Sequence, residues 1–303
     1  MKPMKTLRIA AVVAVLVLAV PAWLLPAPSP VTPIVPLLVD TGWLRDRLGA
    51  PDLRIVDMTS EPGDYRRGHV PGAVYLHVND ARIAVPQGGF RLPTPEEGAR
   101  LLASLGITPS TVVVAYDDAG GLHASRLFFT LEVFGHPRVA ILDGGSQRWR
   151  ASGGPWTRKV RQVAVPAADT APRPVPGLVL GAEHVRDRLD DPDVVLVDTR
   201  SADEYAGRDV RARRGGHIPG AVHIDWRRNL QPDGRFRPLD ELRRLYATHG
   251  VTPEREVVTY CHTHHRASHT YFVLRLLGYP RLAAYDRSWA EWGNRNDLPV
   301  ARP

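Results

Sequence analysis

The chain has 303 residues, enough for two domains of ordinary size with separate cores. Its formal charge of +7 comes from arginines scattered along the chain, which suits small anionic substrates or an acidic membrane face better than nucleic acid. The single cysteine, Cys261, excludes an internal disulfide and any dithiol cycle within one chain.

In chain order, Lys2, Lys5 and Arg8 precede the uncharged run Ile9 to Leu25, which is followed by Pro26-Ala27-Pro28-Ser29-Pro30. Residues 1–30 read as an export segment with small residues near cleavage points at Ala22 or Ala27. Seventeen residues fall short of the ~20 that span a bilayer, and Pro21 interrupts them. A cleaved signal and a retained single-span anchor both fit, and either would place the rest of the chain outside the cytoplasm, in the periplasm, the extracellular space or on a membrane.

From residue 37 onward the chain is written twice. Trp43-Leu44-Arg45-Asp46-Arg47-Leu48, followed by Arg54-Ile55-Val56-Asp57, returns 141 residues later as His184-Val185-Arg186-Asp187-Arg188-Leu189, followed by Val195-Leu196-Val197-Asp198. Gly68-His69-Val70-Pro71-Gly72-Ala73 returns as Gly216-His217-Ile218-Pro219-Gly220-Ala221, and Gly106-Ile107-Thr108-Pro109 as Gly250-Val251-Thr252-Pro253. Short Val/Ile/Leu runs alternate with helix-like segments in both copies, the pattern of a mainly parallel sheet flanked by helices. Helices are predicted from Arg126 to Phe134 and from Ala267 to Leu277, each closed by a glycine. The units span 37–159 and 178–303, joined by a linker at 160–177 that holds Pro166, Pro172, Pro174 and Pro176.

Cys261 follows the strand-like run Val257-Val258-Thr259-Tyr260 and precedes His262-Thr263-His264-His265-Arg266. A thiol between a strand end and a helix start has backbone N–H groups and a positive helix dipole aimed at it, which favours its anion. The polar, basic loop predicts an accessible thiol rather than a buried one. Aligning Tyr116 with Tyr260 puts Asp117 opposite Cys261, so the first unit is expected to be catalytically silent and to wall the cleft. His69 and His217 occur in both units and read as structural, and Trp289 and Trp292 read as core.

These features together resemble the rhodanese family, within it the tandem thiosulfate and 3-mercaptopyruvate sulfurtransferases, over about residues 37 to 300. The resemblance is carried by Asp57 and Asp198 at strand ends, the Gly-His-hydrophobic-Pro-Gly-Ala turns, the cysteine loop, and the tail Tyr285-Asp286-Arg287-Ser288-Trp289-Ala290-Glu291-Trp292, echoed by Leu142-Asp143-Gly144-Gly145-Ser146. It implies a two-domain α/β protein in which the Cys261 thiolate takes a sulfur from thiosulfate or 3-mercaptopyruvate as a persulfide. A thiophilic acceptor such as cyanide or a thiol would then remove that sulfur. The six-residue active loop maps onto Cys261-His262-Thr263-His264-His265-Arg266, with His264 where many members have glycine. Arg200 matches the family's substrate-facing arginine. Arg200, Arg266, Thr263 and the loop histidines His262, His264 and His265 would then hold an anionic donor, the histidines in protonated or hydrogen-bonding form.

Two other readings compete. Phosphatases and arsenate reductases of the same fold place an arginine six residues after the cysteine, where this chain has Ala267 and Arg266 is the fifth. A persulfide carrier with slow turnover would need the same thiol. No cofactor is implied, and a zinc site built on His262, His264, His265 and His269 is disfavoured, because the ligands crowd one short loop without a distant Cys-x-x-Cys pair.

Overall fold

The computed structural model describes residues 34–163 and 172–303. The segment read as a signal or anchor lies outside the described residues, as does the middle of the linker. Among the described residues no helix is long and apolar enough to cross a membrane.

The first half runs β1 (Leu38–Val39), α1 (Thr41–Arg45), β2 (Leu53–Asp57), α2 (Pro62–Arg67), β3 (Ala73–Tyr75), β4 (Ile83–Ala84), β5 (Phe90–Arg91), α3 (Pro95–Leu105), β6 (Val112–Tyr116), α4 (Leu122–Val133), β7 (Val139–Leu142) and α5 (Gly145–Ala151). The second half runs α6 (Ala182–Arg186), β8 (Val194–Asp198), α7 (Ala202–Tyr205), β9 (Val222–His223), α8 (Leu239–Ala247), β10 (Glu256–Tyr260), α9 (His265–Leu276), β11 (Leu282–Ala284) and α10 (Ser288–Trp292). Each half builds a parallel sheet, in the orders β1-β7-β6-β2-β3 and β11-β10-β8-β9. The counterpart of β1 is reduced to a single parallel bridge, Val179 to Ala284. Strands β2, β8 and β10 are buried along their whole length, which is why apolar residues stand side by side in them instead of alternating, with Arg54 and Glu256 as buried charged exceptions.

The two halves share one hydrophobic core, and its centre is the contact between α4 and α9. Both helices are buried on nearly all sides, from Ala124 to Val133 and from Ala267 to Arg275. Helices with no solvent face carry little amphipathic signal. Phe128 meets Phe272 edge-on at 4.9 Å, and Phe129 meets Tyr271 at 5.0 Å. Both helices start earlier than the sequence suggests, at Leu122 and His265. The physical reason is a left-handed residue at each N-cap, Gly121 (φ 86°) and His264 (φ 53°), which turns the chain into the helix at once. His264 and Arg266 therefore belong to a helix start rather than to a free loop.

Candidate active site

Cys261 stands directly after β10, at the carboxyl end of the second sheet, beside the N-terminus of α9. It is 1 % exposed, so the expectation of an accessible thiol is corrected. The cover comes from two directions. The tail segment folds over the loop through Trp289 N–H to Cys261 O (3.0 Å) and Ala290 N–H to His262 O (2.9 Å). The β4–β5 hairpin of the other half closes against it, so tightly that a Cβ on Gly89 would sit 2.7 Å from Ala290 Cβ.

Ser288, which the sequence reading passed over, braces the loop. Its Oγ accepts from the backbone N–H of Cys261 (3.2 Å) and of His264 (3.1 Å) and donates to Tyr285 O (2.8 Å). Among the described residues, the amides of His262, Thr263, His265, Arg266 and Ala267 donate to no oxygen or nitrogen of the protein. They are donors left free in the loop and in the first turn of α9, directly after Cys261 in the chain.

The first half shows what such a cradle holds. Asp117 Oδ1 accepts from the amides of Ala119 (2.9 Å) and Gly121 (2.8 Å), and Oδ2 from those of His123 (2.8 Å) and Ala124 (2.9 Å). A fixed carboxylate fills the amide cradle there, where the second half places a sulfur. The carboxylate thus takes up the amides that a sulfur anion would need.

The predicted site residues separate into two groups. His262, Thr263 and Arg266 stay half-buried at the loop beside Cys261. Arg266 forms a two-pronged ion pair with Glu204 (Nη2 to Oε1 2.8 Å). Burial pushes the Glu204 carboxyl up, but the Arg266 guanidinium outweighs it and holds Glu204 at about 2. Glu204 is itself fixed by the Ser201 capping box that starts α7.

Arg200 and His264 point elsewhere. Arg200 is 1 % exposed and folded back on Asp198, with Nε to both carboxylate oxygens (2.9 and 3.0 Å) and Nη2 to Asp198 Oδ2 (2.6 Å) and Gly216 O (2.7 Å). Its guanidinium lies 4.5 Å over the Trp289 ring. The expected substrate-facing arginine is therefore an internal ion pair, because a carboxylate two residues away in a desolvated strand end captures it first. His264 is fully buried, its ring tilted on Phe129 (4.5 Å) and bonded to Thr259 Oγ1 (3.1 Å) and Ser268 Oγ (3.2 Å). His265 turns to the domain interface, with Nε2 3.0 Å from His123 Nδ1.

Burial also lowers the pKa of all three loop histidines, with His264 at about 3, His262 below its usual value and His265 well below it. At neutral pH they are uncharged hydrogen-bonding groups, which corrects the protonated form of the earlier expectation. Among the described residues no three His, Cys, Asp or Glu side chains converge as metal ligands. His269 is bonded to Gly120 O (3.1 Å) and stacked on Phe236. His69 and His217 stack on Tyr65 and Tyr205 at 3.9 and 3.7 Å, a turn-bracing role repeated in both halves.

The first half supplies residues that the repeat alone could not reveal. Arg82, directly after the 3-10 turn Val78–Ala81, donates from Nη1 to Thr263 Oγ1 (3.3 Å). Arg126 on α4 is ion-paired to Asp286 at 2.7 Å with both groups buried, and Asp286 Oδ2 also accepts from Leu92 N–H (2.8 Å). Their signal in the sequence was only arginine in a unit already judged silent.

Comparison with known proteins agrees with this geometry. The chain matches the description "Rhodanese-like domain" twice, over residues 40–152 and 181–295. It is 36% identical over 271 residues to a thiosulfate sulfurtransferase of Pseudomonas aeruginosa, covering 88% of this chain and 97% of that protein. It is equally, 36%, identical over 281 residues to the sulfur carrier protein TtuD of Thermus thermophilus, covering 88% and 96%. Among solved structures it resembles the anaerobic ergothioneine biosynthesis enzyme from Chlorobium limicola bound to trimethyl histidine, with TM-score 0.78 and 27% identity over 88% of this chain and 70% of that one.

Proposed function

The chain belongs to the rhodanese family of sulfurtransferases, and on that premise we propose that it takes its sulfur from thiosulfate. The observation that carries the reading is a lone thiol at the end of β10, followed directly by the unpaired amides of its loop and of the start of α9, with Arg82 bonded to that loop through Thr263. The Cys261 thiolate attacks the outer sulfur of thiosulfate, the S–S bond of the donor breaks, and sulfite leaves with the electron pair. The persulfide so formed is an anion that the amides of His262, Thr263, His265, Arg266 and Ala267 can cradle. A thiophilic acceptor such as cyanide or a thiol then attacks the terminal sulfur and releases the Cys261 thiolate. His262 and Thr263 stand half-buried directly after Cys261, and Arg266 is tied to Glu204.

Incubation with thiosulfate should add one sulfur to the intact mass, and cyanide should remove it with formation of thiocyanate. Absence of an adduct with thiosulfate, together with an adduct from 3-mercaptopyruvate, would move the donor to the latter. Likeness to TtuD supports a second reading, a persulfide carrier. Slow steady-state turnover despite full adduct formation would favour it. Phosphatase and arsenate reductase chemistry is disfavoured, since the fifth-position arginine is bound to Glu204 instead of being open to a tetrahedral oxyanion.

The start Lys2, Lys5, Arg8 and the apolar run to Leu25 support export from the cytoplasm, with the domains free or membrane-held. Fractionation of cells making the full chain should find the protein outside the cytoplasm. Full-length soluble protein inside it would overturn that reading.

A further inference from the structure

Each half covers the other's loop with a corresponding segment. The segment after the 3-10 turn Val78–Ala81 lies on the Cys261 loop, and the segment after the equivalent turn Trp226–Asn229 lies on the Asp117 loop. Leu92 N–H is held by Asp286 from the far half, as Phe236 N–H is held by Asp143 (3.0 Å). The residue that directly follows the 3-10 turn differs between the halves. On the silent side it is Leu230, packed so closely on Gly120 that a Cβ there would lie 2.6 Å from Leu230 Cδ1. On the sulfur side it is Arg82, bonded to Thr263. Gly120 and Thr263 both immediately precede the left-handed N-cap residue of their helices, so Leu230 and Arg82 face corresponding points.

Arg82 differs from four other arginines that are buried or half-buried. Arg126, Arg200, Arg266 and Arg275 are ion-paired to Asp286, Asp198, Glu204 and Glu132. Among the described residues Arg82 instead bonds neutral groups, Asn79 Oδ1 through Nε (3.0 Å) and Nη2 (2.6 Å) and Thr263 Oγ1 through Nη1, and its guanidinium lies 3.7 Å over the Phe90 ring. It is 8 % exposed. A buried guanidinium without a paired carboxylate is costly unless another anion compensates it. Its bond to Thr263 puts that charge two residues along the loop from Cys261.

We propose that Arg82, reaching across from the silent domain, is a positioning residue for sulfur transfer: it anchors Thr263 and supplies the uncompensated positive charge that draws an anionic donor to Cys261 and steadies the persulfide. This rests on the sulfurtransferase reading for its purpose but not for its test. Cys261 is the sole cysteine, so alkylation reports on this site alone. The rate with anionic iodoacetate divided by the rate with neutral iodoacetamide reads the local field, since thiolate fraction and access affect both reagents alike.

In Arg82→Leu, which installs the residue of the silent side, the ratio should fall about five- to tenfold, the effect of one partly screened charge. Arg82→Lys should keep it within about twofold. Arg82→Gln replaces the leucine variant if urea unfolding shows the latter to be unfolded. An unchanged ratio in a folded neutral variant, or an equal fall in Arg82→Lys, overturns the proposal. Because alkylation needs no sulfur donor, its outcome stands whatever thiosulfate turnover shows.

Discussion

A thiol that is 1 % exposed can still be a nucleophile when its neighbours are donors rather than hydrocarbon, and single substitutions separate those roles. Cys261→Ser keeps the shape and removes the strong nucleophile, so the sulfur adduct and thiocyanate formation should vanish while circular dichroism is unchanged. Substantial remaining turnover in that protein would reject the persulfide route. Arg200 and Arg266 should now behave differently. Arg200→Met leaves Asp198 as a buried carboxylate without its cation, which costs roughly 3–5 kcal/mol of unfolding free energy. A normal urea midpoint combined with a tenfold lower kcat/KM would return Arg200 to the donor. Asp117→Ala should act on stability too, because it strands four backbone amides and each unsatisfied buried group costs about 1–3 kcal/mol. Sulfur transfer per folded molecule should change little, and a loss matching Cys261→Ser would show direct participation by the first half.

At the scale of elements, much of the architecture was legible because burial leaves a simple trace in sequence. The two-sided strands β2, β8 and β10 each hold adjacent Val, Ile or Leu residues, and the repeat of Asp57 and Asp198 marks where two of them end. Helix starts were harder, since α9 begins on two histidines and an arginine whose left-handed cap, His264, is not a glycine. The site was legible in its nucleophile and loop but not in Arg82, Ser288 or Glu204, which reach it from other elements and share no local pattern with Cys261. The start of α9 also predicts acid sensitivity. Burial lowers His264 to about 3 and His269 to about 4, against about 6.5 for a free imidazole. The unfolded chain therefore takes up protons below pH 6.5 that the folded chain refuses. Stability is full above that pH and drains as pH falls toward 4, by about 1.4 kcal/mol per pH unit for each group. Urea midpoints at pH 7.5, 6 and 5 should decline in that window, and His269→Gln should flatten the slope. A constant midpoint from pH 7.5 to 5 would show that these rings are solvated in the native state.

On the scale of the whole molecule, duplication has left two domains that cannot be understood separately. The first holds a carboxylate in its cradle, lends a hairpin and an arginine to the active loop, and shares its core through α4. Two buried ion pairs cross that union among the described residues, Glu132 with Arg275 and, nearer the active loop, Arg126 with Asp286, the latter with side chains 0 % and 5 % exposed. Asp286 lies two residues before the loop-bracing Ser288 and also receives Leu92 N–H from the covering segment, so it ties the tail motif to the hairpin. Removing one partner leaves the other charge buried, which costs roughly 3–5 kcal/mol, whereas removing both leaves two neutral groups. Asp286→Asn and Arg126→Met should each lower the unfolding free energy, and the double variant should lose less than their sum by about 1–3 kcal/mol. Losses that add to within about 0.5 kcal/mol would mean that the pair does not couple the halves. The same cycle followed through the thiosulfate reaction gives an independent reading: if the pair holds the hairpin over Cys261, kcat/KM should drop in the single variants at temperatures where they remain folded.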